Sequence, residues 1–100
     1  MNKRIVAMGL AGVAMLLCFA SSALAMSGTV SVSTWLNLRK EASTTSTIVA
    51  YMKDKTTVEI LDNANKTNGF FRIRGESYKD HHNWTGKATR TGYASAAYIK

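Results

Sequence analysis

Short runs of alternating apolar and polar residues recur along most of the chain after residue 25. The run at 36–39 places Leu on one side and Asn and Arg on the other, and the same period of two returns at 56–61 and 70–74. A period of two is typical of a β-strand, because successive side chains point to opposite faces of a sheet. No helical periodicity is sustained in this part of the chain. The pattern therefore predicts an all-β domain of five to six short antiparallel strands.

The alternation also divides the strand residues between an inner and an outer face. In the last run, Phe70, Arg72 and Arg74 occupy alternate positions and are predicted to share the outer face. A small closed barrel fills its interior with side chains and leaves no long exposed edge. A barrel therefore suits a short domain that has no disulfide. The residues predicted to point inward are Leu36, Leu38, Val58, Ile60, Phe71 and Ile73.

The first 25 residues follow a different pattern. Lys3 and Arg4 precede an almost unbroken apolar run at 5–20. Ala23 and Ala25 then supply the small side chains that a signal peptidase recognises. The apolar run is shorter than the roughly 20 residues that span a bilayer as a helix. The sequence therefore predicts a cleaved signal peptide that ends at Ala25, with an uncleaved anchor as the alternative.

Cleavage of the signal peptide, residues 1–25, leaves a mature domain at 26–100 without a transmembrane segment. This domain is expected to be exported to the periplasm or the cell exterior. Cys18, the one cysteine of the chain, leaves with the signal peptide, and the loss of Lys3 and Arg4 lowers the formal net charge from +7 to +5. A basic exported domain meets anionic envelope polymers, lipid head groups or acidic proteins more often than nucleic acid. Solubility alone is the alternative explanation of this charge.

Three further motifs occur in order along the mature chain. They are Leu-Asn-Leu-Arg at 36–39, Asn-Gly-Phe-Phe-Arg-Ile-Arg at 68–74, and Thr-Gly-Tyr-Ala at 91–94 followed by Tyr-Ile at 98–99. In this order they resemble the bacterial Src-homology-3 family, the SH3-type (SH3b, SH3-like) domains. The resemblance implies a small SH3-like β-barrel and a role in wall targeting or peptide binding.

Two features depart from the pattern of this family. The residues at 40–42 are Lys-Glu-Ala where the family usually has Gly and Pro, and the chain has no proline at all. The segment at about 75–91 is much longer than usual, and we predict that it forms a long hairpin insertion between two barrel strands. This segment contains Tyr78, Trp84 and both histidines.

Asp80, His81 and His82 form a cluster of residue types that bind metals. A closed zinc site needs four ligands, and the mature chain has no further His or Cys to complete it. The cluster is therefore predicted to be a solvated loop tip and not a metal site. No spacing singles out a nucleophile with a base, or a pair of catalytic carboxylates. The sequence predicts a non-enzyme that needs no cofactor.

Aromatic and basic residues form the predicted ligand surface. Two guanidiniums on one face can hold carboxylates or phosphates bidentately, and aromatic rings offer flat apolar contacts. The resemblance places Trp35 and Tyr93 near a groove. Tyr78 and Trp84 either wall that groove or fold back as a satellite cluster that pins the insertion. The alternative is that these residues form no ligand surface: the basic strand then only faces solvent, and the insertion covers Phe70. The predicted ligand-binding residues are Trp35, Phe70, Arg72, Arg74, Tyr78, Trp84 and Tyr93.

These features lead to two main functional hypotheses. The resemblance implies an exported non-catalytic binding module for a cell-envelope polymer or peptide, with peptidoglycan as the first candidate. The alternative is a protein-interaction factor, such as an inhibitor or a subunit of an envelope complex. A small enzyme ranks third, because a small barrel without a deep cleft is a poor host for catalysis.

Overall fold

The computed structural model describes residues 26–100, and this part folds into six strands and two turns of 3-10 helix. The all-β fold predicted from the alternation is confirmed. No helix in the described part is long and apolar enough to cross a membrane. The predicted signal peptide at 1–25 lies outside the described residues. The strands are β1 (Met26–Thr29), β2 (Trp35–Arg39), β3 (Ile48–Lys53), β4 (Thr57–Ile60), β5 (Phe70–Ser77) and β6 (Ala88–Ser95), and the 3-10 turns are Asp62–Ala64 and Ala96–Tyr98.

The strands form one antiparallel sheet in the order β1-β4-β5-β6-β2-β3. The longest pairing joins β5 and β6, from Phe70 opposite Ser95 to Ser77 opposite Ala88. β2 pairs with β3 along its whole length, and it meets β6 where Arg39 lies opposite Tyr93. This order places strands from both halves of the chain side by side, so the sheet depends on contacts between distant segments.

Backbone contacts also tie the segments at the two ends of this sheet, β1 and β3, to other parts of the chain. Tyr51 in β3 and Tyr78, directly after β5, exchange hydrogen bonds of 2.8 Å in both directions. Val30, directly after β1, forms a bridge with Ile99 near the end of the chain. With these contacts the sheet curls into a small barrel, as the alternation predicts and as the resemblance to SH3-type domains implies. Pairing at both ends shortens the exposed edges that a small open sheet would leave.

The core lies inside this barrel, and four of the six residues predicted to point inward belong to it. Ile60 and Phe71, the other two, are only partly buried and pack against it. Val30 and Ile99 complete the core from the two ends of the domain, where the alternating runs are too short to indicate an inner face. The buried members are Val30, Leu36, Leu38, Ala50, Met52, Val58, Ile73, Ala94 and Ile99.

A two-residue turn at Asn68 and Gly69 sets the start of β5. Both residues have positive φ, 52° and 82°, as a type I′ hairpin turn requires. Glycine adopts this conformation without strain, and asparagine adopts it more readily than most other residues. Thr67 and Phe70 exchange backbone hydrogen bonds of 2.8 Å across the turn. The Asn-Gly pair therefore fixes the point at which Phe70 enters the sheet.

The segment predicted as a long insertion is a hairpin whose arms continue the β5–β6 pairing. β5 extends to Ser77 and β6 begins at Ala88, so the loop itself spans residues 78–87. Alternation is weak here because the inner positions of β5 hold Gly75 and Ser77 in place of large apolar side chains. The buried Ser77 hydroxyl donates to the Ala88 carbonyl at 3.1 Å and accepts from Arg90 at 3.1 Å. Polar contacts thus replace apolar packing in the paired arms.

Candidate functional site

A groove of about 700 Å³ crosses the outer surface of the barrel. It lies between the Ser/Thr-rich loop at 40–47, the turn at Asn68 and Gly69, and the 3-10 turn Ala96–Tyr98. Within residues 26–100, no Asp or Glu lines it. The lining residues are Val32, Ser33, Thr34, Trp35, Leu36, Asn37, Arg39, Thr44, Asn68, Gly69, Phe70, Ser95 and Tyr98.

Three aromatic residues give the groove its apolar surface. Trp35 and Tyr98 are exposed, at 37% and 49%, whereas Phe70 is only 8% exposed. Phe70 lies on the outer side of β5 as predicted and lines the groove, but it is nearly buried there. The rings of Trp35 and Tyr98 offer the kind of flat apolar surface that packs against sugar rings or peptide planes.

A guanidinium lies beside these rings. Arg39 shares the outward side of β2 with Trp35 and Asn37, and within the described chain it forms no ion pair. Its Nη1 donates to the Ser46 carbonyl at 2.9 Å. The other N–H groups of the fork remain available to a ligand. A groove with one guanidinium and no carboxylate favours an anionic or neutral ligand over a cationic one.

Eleven of the thirteen lining residues were not among those predicted from the sequence. Four of the eleven carry an amide, guanidinium or aromatic group: Asn37, Arg39, Asn68 and Tyr98. A signal for the first two was present, because they share the outward side of one alternating run with Trp35. Asn68 and Tyr98 had no such signal, since turns from other parts of the chain bring them to the groove. The Asn68 amide donates to the Ala42 carbonyl at 3.2 Å and so links its turn to the Ser/Thr-rich loop.

The two arginines predicted to hold a ligand are engaged within the protein. Arg72 donates to both carboxylate oxygens of Asp62, at 2.9 and 3.1 Å. This hydrogen bonding lowers the pKa of the Asp62 carboxyl and raises the pKa of the Arg72 guanidinium. Arg74 forms an ion pair with Glu59, which is 5% exposed and lies opposite it in the β4–β5 ladder. Neither arginine is among the residues that line the groove.

The carboxylate partner of Arg72 comes from a left-handed turn. Asp62, Asn63 and Ala64 have φ of 55°, 56° and 60°. The left-handed conformation costs roughly 1–2 kcal/mol per residue, with Asp and Asn among the more tolerant residues. A hydrogen bond of 2.8 Å from the Leu61 amide to the Arg72 carbonyl holds the turn against β5. The Asp62–Arg72 pair therefore supports this turn.

Of the seven residues predicted to bind a ligand, Trp35 and Phe70 line the groove. Tyr93 is half-buried on the outer face, where it lies opposite Arg72 in one ladder and opposite Arg39 in another. It borders the groove residue Arg39 without lining the groove itself. The structure thus separates the predicted surface into a groove, an ion-paired face of the barrel, and the hairpin loop at 78–87.

A closed antiparallel barrel with a groove on its outer side agrees with the comparison with known families. The family model described as bacterial SH3 domain matches residues 34–100. This chain belongs to the bacterial SH3 domain family. The match contains all three motifs on which the resemblance rests, together with β2 to β6. Neither the curated proteins nor the solved structures gave a match.

The bacterial SH3 domains are binding domains, generally non-catalytic and often related to the cell wall. In this SH3 domain the barrel begins ahead of the matched region. β1 pairs with β4 from Met26 opposite Ile60 to Thr29 opposite Thr57, and Val30 belongs to the core. The strand before the matched region is therefore an integral part of the domain.

The hairpin loop of this SH3 domain carries its own aromatic cluster. Trp84 packs edge-on against Tyr78, with ring centroids 5.2 Å apart and ring planes at 78°. Lys53 Nζ lies 4.9 Å from the Tyr78 centroid and 5.3 Å from that of Trp84, a cation–π arrangement. Tyr78 is 8% exposed and does not line the groove. Its backbone pairing with Tyr51 draws it against the barrel, and it forms the satellite cluster given above as the alternative.

A second ring cluster joins the hairpin loop to the groove. The imidazole of His81 stacks on the indole of Trp35, with centroids 3.7 Å apart and planes at 18°. Tyr51 meets both rings edge-on, with its centroid 6.4 Å from that of Trp35 and 4.5 Å from that of His81. Because Trp35 also lines the groove, the cluster connects the loop at 78–87 to the candidate site.

The segment from Asp80 to His82 is shaped by contacts within the loop. The Asp80 carboxylate accepts a hydrogen bond from the His82 amide at 2.8 Å, and this bond lowers the pKa of the carboxyl. The ring of His82 tilts against that of His81, with centroids 4.1 Å apart. In the part of the chain that the structure describes, no group of three or more His, Cys, Asp or Glu side chains is placed to hold a metal ion.

Proposed function

We propose that this protein is an exported, non-catalytic binding module for a cell-envelope polymer or peptide, with peptidoglycan as the first candidate. The observation that carries the proposal is a groove in which exposed aromatic rings and a guanidinium lie together, and no carboxylate of residues 26–100 lines it. Family membership supports it, because bacterial SH3 domains are binding domains that are often related to the cell wall.

The chemistry of the groove suits peptidoglycan on two counts. Peptidoglycan combines sugar rings with short peptides that carry carboxylates. Trp35 and Tyr98 supply flat apolar surfaces for the sugar rings or peptide planes. The free N–H groups of Arg39 supply charge-assisted hydrogen bonds for a carboxylate.

The overall charge adds a weaker, long-range contribution. Without Lys3 and Arg4, the formal net charge falls from +7 to +5. A net positive charge speeds the encounter with an anionic polymer and makes binding sensitive to salt. We therefore expect salt to weaken wall binding and the aromatic contacts of the groove to remain.

The test is co-sedimentation of the purified protein with isolated sacculi. Trp35→Ala and Tyr98→Ala each remove an exposed ring from the groove, and we expect each to reduce affinity about tenfold. Ile48→Ala is the matched control, because Ile48 is also an exposed apolar residue, at 37%, but lies outside the groove. Wild-type binding by both groove variants would show that the groove is not the site.

Export itself is part of the proposal and has a separate test. Cleavage after Ala25 follows from the pattern of the first 25 residues, in particular Ala23 and Ala25. The intact mass of protein isolated from the exported fraction should correspond to residues 26–100. A mass that still includes the apolar run at 5–20, or a lipid on Cys18, would contradict this cleavage.

The second candidate function is a protein-interaction factor, such as an inhibitor or a subunit of an envelope complex. The observation in its favour is the hairpin loop at 78–87, which presents rings and cations beside the groove. A protein partner could contact the loop and the groove together. A pull-down from envelope extract, run beside the sacculus assay, separates the two candidates. Capture of one stoichiometric protein without sacculus binding would favour the interaction factor.

A further inference from the structure

Trp35 occupies a position in which its ring would ordinarily be mobile. It lies on the outward side of β2 and is 37% exposed, with Leu36 rather than Trp35 packed into the core. A ligand that packs on a mobile ring must first immobilise it, and the lost rotamer freedom weakens binding. An aromatic ring of the groove therefore binds a ligand more tightly when neighbouring residues already hold the ring in place.

Three contacts hold the Trp35 indole. Its Nε1 donates to the Asn37 side-chain oxygen at 3.1 Å. Tyr51 meets its edge at a centroid distance of 6.4 Å. One face of the ring is covered by His81, whose imidazole stacks on it at 3.7 Å with planes at 18°. Asn37 and Tyr51 belong to the barrel strands, whereas His81 comes from the hairpin loop.

The loop that carries His81 is itself fastened next to Trp35. Tyr78 and Tyr51 exchange two backbone hydrogen bonds at its start, and the Lys79 amide donates to the Thr85 carbonyl at 2.9 Å across the loop. The Asp80 carboxylate accepts from the amide two residues later and fixes the backbone on either side of His81. These contacts allow the imidazole to act as a fixed support.

Among the described residues, the contacts of the His81 ring are those with the rings of Trp35, Tyr51 and His82. Its Nδ1 atom is buried and has no hydrogen-bond partner among the described residues. A flat apolar ring should therefore be able to replace the imidazole, because no hydrogen bond of Nδ1 would be lost. This expectation separates a supporting role of the ring from a role of its nitrogen atoms.

We infer that His81 is a positioning residue of the ligand groove, whose ring fixes the Trp35 indole. The long hairpin loop is then a functional part of the groove. The inference rests on the proposed function for its effect on binding, but the immobilisation of Trp35 can be measured without any ligand.

The ligand-free test uses fluorescence of the full protein. The chain has two tryptophans, so Trp35 is the remaining indole when Trp84→Phe is introduced. In that background, His81→Ala should increase the amplitude of fast local motion in the anisotropy decay. His81→Phe should restore the wild-type decay. His82→Phe is the control, because it removes the neighbouring imidazole of the same loop and keeps a ring against His81.

The binding test repeats the sacculus sedimentation with the same variants. His81→Ala should reduce affinity about two- to tenfold, which corresponds to the freedom of one immobilised side chain. His81→Phe and His82→Phe should bind as the wild type does. Unchanged indole motion in His81→Ala would overturn the inference, as would increased motion with unchanged binding. Failure of the wild type to bind sacculi would refute the proposed function, and the anisotropy result would still decide whether His81 positions Trp35.

Discussion

β2 and β5 carry nearly the same pattern, yet their outward sides have different partners. β2 reads Trp-Leu-Asn-Leu-Arg and β5 begins Phe-Phe-Arg-Ile-Arg, so both strands have an outward Arg at the fifth position. Arg39 in β2 donates to the Ser46 carbonyl and lines the groove. Arg74 in β5 pairs with Glu59 of the neighbouring strand. The role of each guanidinium is therefore set by the segment beside it, and the strand pattern alone does not reveal it.

Truncation of a buried side chain on the inner side of either strand should lower the stability of the fold by a similar amount. This is the largest effect that we expect. Leu38 and Ile73 are both fully buried, so Leu38→Ala and Ile73→Ala should each lower the free energy of unfolding by about 2–5 kcal/mol. Ile60→Ala should cost less, about 1–2 kcal/mol, because Ile60 is only partly buried. Urea denaturation measures all three. A loss at Ile60 equal to that at Leu38 would contradict its place at the margin of the core.

The two outward arginines of β5 should contribute differently to the stability of the fold. Arg74→Met would leave the carboxylate of Glu59 buried without its partner, and we expect a loss of about 2–4 kcal/mol. Adding Glu59→Gln should recover much of that loss. Arg72→Met breaks an exposed pair and should cost less than about 1 kcal/mol. Equal losses for the two single variants in urea denaturation would show that the burial of Glu59 does not make its ion pair more important for stability than the exposed one.

The two strands should also differ in ligand binding. Arg39→Gln removes the guanidinium of the groove, which has no ion-pair partner among residues 26–100, and should weaken sacculus binding by about 1–2 kcal/mol, roughly tenfold. Arg72→Gln, which removes a paired guanidinium outside the groove, should leave binding unchanged. Co-sedimentation across a salt series checks both. If Arg72→Gln weakens binding and Arg39→Gln does not, the ligand lies on the outer face of β5.

The smallest effect concerns the pH dependence of the Asp62–Arg72 pair. Hydrogen bonding to Arg72 places the pKa of Asp62 in the folded protein below its ordinary value of 3.8. The pair therefore stabilises the fold fully above the unfolded pKa, and this contribution is lost as the pH falls through the folded pKa. The difference in unfolding free energy between wild type and Asp62→Asn should be constant near neutral pH and shrink below about pH 4. A difference that grows on acidification would reverse the assigned direction. Asp80 also has a lowered pKa. The comparison should therefore be repeated in an Asp80→Asn protein, in which Asp80 no longer contributes to the pH dependence of stability.

The alternation of the chain was sufficient to predict the strands and most of the inner face. Leu36, Leu38, Val58 and Ile73 belong to the core as predicted, because inward direction in a strand follows from neighbouring positions. The Asn-Gly pair before β5 suits the turn found there, since positive φ is a local requirement. The order of the three motifs was sufficient to indicate the family, which the match to residues 34–100 then showed.

The candidate site was only partly predictable. The outward side of β2 could be derived from the run that contains Trp35, and Phe70 was placed on the correct side of its strand. The near burial of Phe70 was offered only as an alternative, with the insertion as its cover. The groove could not be foreseen, because its other sides come from the Ala96–Tyr98 turn and the loop at 40–47. Tyr98 was missed for the same reason.

The sequence by itself determined the period of two, the directions of the side chains within each strand and the turn at Asn68, because these properties depend on residues a few positions apart. Only the tertiary structure decided which outward groups stay free. Arg74 meets Glu59 fifteen positions away, and the His81 ring reaches Trp35 through a loop fastened to β3. Such pairs depend on strand order and barrel closure, which bring distant segments together and which no local period encodes.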